Sequence, residues 1–163
     1  MTGVSKPTIL KLLRDLAGTC AAYHNDHVRS LKPERIQCDE IWAFCYAKEK
    51  NAPATLKGVY GYGDVWTWTA IDPVTKLVIT YHVGLRTPGD ARAFMLDLAG
   101  RIVNITDLTT DGLNSYPAAA YEAFGHEINY AQLIKEYNQD RPIKPATALR
   151  MRRMHEESGY RLP

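Results

Sequence analysis

At 163 residues the chain has the length of one domain with a full core. Hydrophobic residues make up 45% and charged residues 23%, an ordinary globular balance, and no apolar run approaches the roughly 18 residues of a membrane span. The net charge of +2 hides a pattern: residues 1–36 carry six basic against three acidic side chains, residues 141–163 six against two, and residues 37–140 eight against thirteen.

Taken in chain order, Ser5-Lys6-Pro7-Thr8 opens a helix, with Ser5 as N-cap and Pro7 tolerated in the first turn. Ile9, Leu12, Leu13 and Leu16 follow as one apolar stripe, and Gly18 is the expected C-cap. Residues 19–31 read as a second helix, ended by Lys32-Pro33. Residues 35–47 read as the first strand. One face carries Gln37, Asp39 and Ile41, and the other carries Cys38, Glu40 and Trp42. Residues 64–72 and 76–84 form a hairpin around Asp72-Pro73-Val74-Thr75.

Thr87-Pro88-Gly89-Asp90 then caps a helix that buries Ala91, Phe94, Met95, Leu98 and Ile102. Residues 106–111 read as a strand, 115–124 as a helix and 127–133 as a fifth strand. The fold class is α/β: a mixed five-stranded sheet of three antiparallel strands, then alternating helix and strand, preceded by a short helical segment. After a linker at 140–145, residues 146–157 read as a basic helix with a thin apolar stripe.

Two aspartates stand out. Asp39 lies within an apolar strand-forming run, where a charge needs a partner or a metal. Asp111 closes a strand just before Gly112. The connection rule places these strands side by side, and two such carboxylates suit Mg²⁺ and phosphodiester chemistry. The charge pattern fits the same idea, cations held centrally and a polyanion at the edges, although ordinary surface charge is the plainer reading of it.

The runs Cys38-Asp39-Glu40-Ile41-Trp42-Ala43-Phe44, Asp64-Val65-Trp66-Thr67-Trp68-Thr69-Ala70-Ile71-Asp72 and Leu108-Thr109-Thr110-Asp111-Gly112 together resemble bacterial insertion-sequence transposases of the DDE type. The resemblance covers residues 3 to about 138 and implies a ribonuclease H-like catalytic domain. It implies Asp39 and Asp111 as catalytic and metal-binding carboxylates for Mg²⁺ or Mn²⁺. It also implies DNA, at insertion-sequence ends, as the substrate. The partner it implies is a homo-oligomer or full-length transposase.

The same resemblance makes residues 1–34 a remnant helix-turn-helix-like segment, in which Lys6, Thr8 and Lys11 would contact DNA. Residues 35–138 would be an incomplete catalytic core and 139–163 a basic divergent tail. The family's third carboxylate, a glutamate in a context like Val-Glu-Arg-Gln-Asn, has no match. A catalytically incomplete fragment, truncated at both ends, is therefore expected.

Other readings compete. Glu136, Glu156 or Glu157 as third carboxylate would make a ribonuclease H-like nuclease. A fragment that binds DNA or transposase without chemistry would act as an inhibitor, and a decayed gene product would have no role. Asp72 reads as a turn residue, Glu40 as a supporting or surface carboxylate, and Trp66 and Trp68 as core. Cys20, His24 and His27 lack a fourth ligand for zinc. Three cysteines without CxxC spacing, and no signal-peptide pattern, suit a cytoplasmic chain.

Overall fold

In a computed structural model, residues 3–59, 61–136 and 148–153 are described, with 134–136 and 148–153 described by their backbone alone. The first element, α1 (Lys6–His27), is one continuous helix. Ser5 caps it, its side chain accepting from the Thr8 N–H, but Gly18 does not end it. Glycine in a helix interior costs only about 1 kcal/mol against alanine, and the flanking Leu16, Ala17, Ala21 and Ala22 are helix formers that carry the turn through. The expected break at Gly18 and the separate second helix are thus corrected to one helix of 22 residues.

The sheet follows as β1 (Arg35–Cys45), β2 (Gly63–Ile71), β3 (Val78–Gly84), β4 (Asp107–Thr110) and β5 (Asn129–Glu136), with α2 (Pro88–Ala99) and α3 (Tyr116–Phe124) as crossovers. Two short 3₁₀ turns, Glu49–Asn51 and Ala54–Leu56, lie between β1 and β2. The β2–β3 turn forms as its residues dictate. Asp72 Oδ1 accepts the Val74 N–H at 2.8 Å, and the Thr75 hydroxyl donates to Oδ2 at 2.8 Å. These bonds hold the exposed Asp72 carboxyl below the usual range.

Strand order is β3-β2-β1-β4-β5 plus a further edge strand, β6 (Ala148–Arg153). β1, β2 and β3 are antiparallel neighbours, and β4 and β5 run parallel to β1 and to each other. This is the expected α/β sheet with a preceding helix, and its order and directions are those of a ribonuclease H-like fold. This sixth strand lies within the stretch 146–157 where a helix was expected, the rest of which is outside the described residues. A thin apolar stripe gives a helix little to bury, while the open edge of β5 offers backbone partners from Ala131 to Glu136.

One core lies on one face of the sheet. Ile36, Cys38, Trp68, Ala70, Ile79 and Leu108 meet Ala91, Phe94, Met95 and Leu98 of α2 and Tyr116, Ala119 and Ala120 of α3. The α2 stripe is the one read from its spacing, except that Ile102 lies beyond the helix end and is partly buried. Trp68 stacks edge-on against Tyr116 and tilts against Phe94.

On the opposite face, α1 reaches Tyr81 on the edge strand β3 through His24, with the rings 5.7 Å apart. Register places Asp39, Thr69 and Tyr81 in one row across this face, and Ile41, Thr67 and Val83 in the next. Ile41 and Val83 are exposed.

Helix α1 buries none of its own residues and leaves Ile9, Leu12, Leu13 and Leu16 exposed. Polar contacts near its C-terminal end attach it to the rest of the fold. The buried Arg101 guanidinium donates to Asn25 Oδ1 at 2.6 Å, to the Val28 carbonyl at 3.3 Å and to Asp97 at 2.7 Å. His24 Nε2 pairs with the Val78 carbonyl, and the His27 ring stacks on Tyr23. Both histidines thus have structural partners, and Cys20 is exposed and free.

Candidate active site

The parallel pairing of β1 with β4 builds the site. Its last registered pair is Cys38 with Thr110, so Asp39 and Asp111 are the next residues on two adjoining strands. The sheet therefore sets their backbones side by side, at the carboxyl end of β4. Their side chains then part. Asp39 lies on the face away from the core, exposed, with Oδ1 accepting the Glu40 N–H at 2.8 Å. Asp111 Oδ1 accepts the Leu113 N–H at 3.1 Å, and its Oδ2 lies 3.4 Å from Arg86 Nη2.

Glu40 completes the cluster from the core face. Alternation along β1 puts it between Cys38 and Trp42, in one row with Trp68 and His82. Its side chain is only 1% exposed. A carboxylate buried so deeply requires a partner. Arg86, in the loop between β3 and α2, supplies it: Nε and Nη2 donate to Glu40 Oε2 at 3.1 and 2.9 Å.

The guanidinium also stacks on the Trp66 ring, 4.7 Å from its centre. Trp68 Nε1 donates to the Leu85 carbonyl at 3.1 Å and pins the residue beside Arg86. Of the two expectations for Glu40, a supporting or a surface carboxylate, the surface one is corrected: it is buried and tied through Arg86 to Asp111. The signal was present in its position on the same strand face as Ile36 and Cys38, but its partner lies 46 residues away.

Burial raises the Glu40 pKa above the usual carboxylate range. The Tyr116 hydroxyl draws it down, Asp111 raises it further, and Arg86 draws it down again. The second oxygen, Oε1, and the Tyr116 hydroxyl are both buried without a hydrogen bond of ordinary geometry, though they lie near enough to influence one another. Burial, with Glu40, Asp39 and Asp111 adding negative charge, pushes the Cys38 thiol far up, so it stays protonated and is no nucleophile.

The donor chemistry can be tested against a divalent ion. Hard carboxylate oxygens on two adjoining strands are what Mg²⁺ or Mn²⁺ accepts, since Mg²⁺ commonly takes one or two protein carboxylates plus water and phosphate. The 3.4 Å contact from Arg86 to Asp111 Oδ2 is long for a charge-assisted bond. Among the described residues, no group of three or more His, Cys, Asp or Glu side chains is arranged to hold a metal. Asp39 and Asp111 have the donor chemistry for such an ion, but in this structure their carboxylates turn to different partners.

The other predicted residues lie apart. Lys6, Thr8 and Lys11 are exposed in the first turns of α1. The Thr8 hydroxyl is engaged with Ser5 at 2.8 Å and Lys11 with Asp15 at 2.7 Å. Glu136 ends β5, and Glu156 and Glu157 lie outside the described residues. No helix among the described residues is long and apolar enough to cross a membrane.

No family model and no curated protein matches the chain. Among solved structures it is similar to a piggyBac transposase in a synaptic complex with hairpin DNA, at 13% identity and a TM-score of 0.42, over 69% of this chain. The chain spans 25% of the length of that transposase.

Proposed function

We propose that this chain carries the polynucleotidyl-transferase site of a DDE-type transposase in reduced form, with DNA as its partner. The observation that carries the reading is the β1–β4 register, which brings Asp39 and Asp111 to adjoining positions in a ribonuclease H-like sheet. A divalent ion bound there would polarise a phosphodiester and lower the pKa of an attacking water or 3′-hydroxyl. Asp39 and Asp111 would hold it. Arg86 would balance the negative charge of Glu40 and Asp111.

Two carboxylates do not match the three that the resemblance implies. Slow nicking of DNA, without efficient strand transfer, is the expected activity. The basic ends of the chain, with Lys6, Thr8 and Lys11 on α1, would add backbone contacts to DNA. A self-assembled form, or a mixed one with full-length transposase, would present paired DNA ends. Residues 1–34 would then be the DNA-facing segment, 35–138 the catalytic core and 139–163 the basic tail.

The test is incubation of supercoiled plasmid with Mg²⁺ or Mn²⁺. The reading predicts slow nicking that drops at least about tenfold in Asp39→Asn and in Asp111→Asn, with no joined product. Cleavage that survives both substitutions and disappears in Glu156→Gln or Glu157→Gln would move the chemistry to the tail and overturn it.

A further inference from the structure

Arg86 has more donors than its protein partners use. Its Nε and Nη2 serve Glu40, and Nη2 also reaches Asp111. Nη1 has no hydrogen bond among the described residues, and the side chain is 37% exposed. Three independent groups fix its direction: the Glu40 carboxylate, buried to 1% exposure, the Trp66 ring and the Asp111 carboxylate. A guanidinium held in this way loses little further freedom when it binds, and its free Nη1 still carries two N–H donors that phosphate oxygens can accept.

The guanidinium stands beside Asp111 through Nη2, one residue past the strand end where Asp39 and Asp111 adjoin. We infer that Arg86 is a phosphate-binding residue of this site, contacting the nucleic-acid backbone through Nη1, with Glu40 as the buried counter-charge that aims it. The inference rests on the DNA-processing reading above and deepens it. It assigns to the Glu40–Arg86 pair a role in gripping the phosphodiester, distinct from holding a cation.

The test is fluorescence anisotropy of a labelled DNA duplex with the full chain, without divalent ions, over a range of salt concentrations. The comparison is wild type against the double variant Glu40→Met/Arg86→Met, which keeps the net charge unchanged and replaces the ion pair by apolar side chains of similar volume. The inference predicts about tenfold weaker binding. It also predicts a salt dependence shallower by about one unit of slope, the signature of one lost phosphate contact.

Equal affinity and equal slope in the two proteins would overturn the inference while leaving the DNA reading standing. Absence of any duplex binding by wild type would overturn both. If circular dichroism shows the double variant unfolded, Arg86→Lys takes its place. Lysine keeps a cation for Glu40 but loses the free Nη1, so binding at least about threefold weaker is expected, and unchanged binding overturns the inference.

Discussion

Replacing Trp68 with alanine is expected to lower the unfolding free energy by about 4 kcal/mol, the largest effect of any single substitution considered. Trp68 is fully buried and joins the sheet to both helices, meeting Phe94 of α2 and Tyr116 of α3. The truncated side chain leaves a cavity at the centre of the core, which these elements can close only in part. The lost indole N–H also frees the Leu85 carbonyl, and with it the loop that presents Arg86. Trp68→Phe keeps most of the ring and removes the donor, so a loss of about 1–2 kcal/mol is expected from it. Urea unfolding followed by circular dichroism measures both, and a loss under about 1 kcal/mol for Trp68→Ala would contradict this placement of the core.

Arg86→Ala is expected to cost about 3 kcal/mol at neutral pH, because it leaves the Glu40 carboxylate buried without its counter-charge. The figure lies at the low end for a broken buried pair because Arg86 itself is partly exposed. The sign of the pH dependence follows from Glu40. Burial already raises its pKa in the folded chain, and Arg86 is one of the groups that draw it down. Without Arg86 the pKa rises further.

A carboxyl with a raised folded pKa binds more protons folded than unfolded, so its stability contribution is fullest below the unfolded pKa and is lost as pH rises through the folded value. The deficit of Arg86→Ala should therefore shrink as pH falls from 7 towards the ordinary carboxylate range. In Arg86→Ala/Glu40→Gln the acid-dependent part should vanish. Unfolding curves across that range check both expectations. A deficit independent of pH would mean that Arg86 acts through packing on Trp66 instead.

Local chemistry made much of this fold legible. The Asp72 turn, the Thr87 cap and the α2 stripe each rest on contacts within a few residues, and each forms as its residues imply. The β1–β4 adjacency also follows, because a right-handed crossover leaves few other places for β4.

Three features needed partners far away in the chain. The run 148–153 pairs with β5, an edge that its own residues do not reveal. Gly18 looked like a helix end because that signal is local, whereas its strong helix-forming neighbours decided the outcome. Glu40 could be placed on a strand face, but neither its burial nor its link to Arg86 follows from β1 alone. The adjoining positions of Asp39 and Asp111 were legible from their strand contexts. The ion pair that stands beside Asp111 was not.

The most direct test of the central claim is Mn²⁺ binding followed by electron paramagnetic resonance, on wild type, Asp39→Asn, Asp111→Asn and the control Asp107→Asn. Asp107 starts β4, away from the site, and pairs with Asn129. The account predicts one weakly bound ion in wild type and in the control, with affinity at least about tenfold lower in each of the other two variants. Equal Mn²⁺ binding by all four proteins would show that Asp39 and Asp111 do not form a metal site, and would contradict the account.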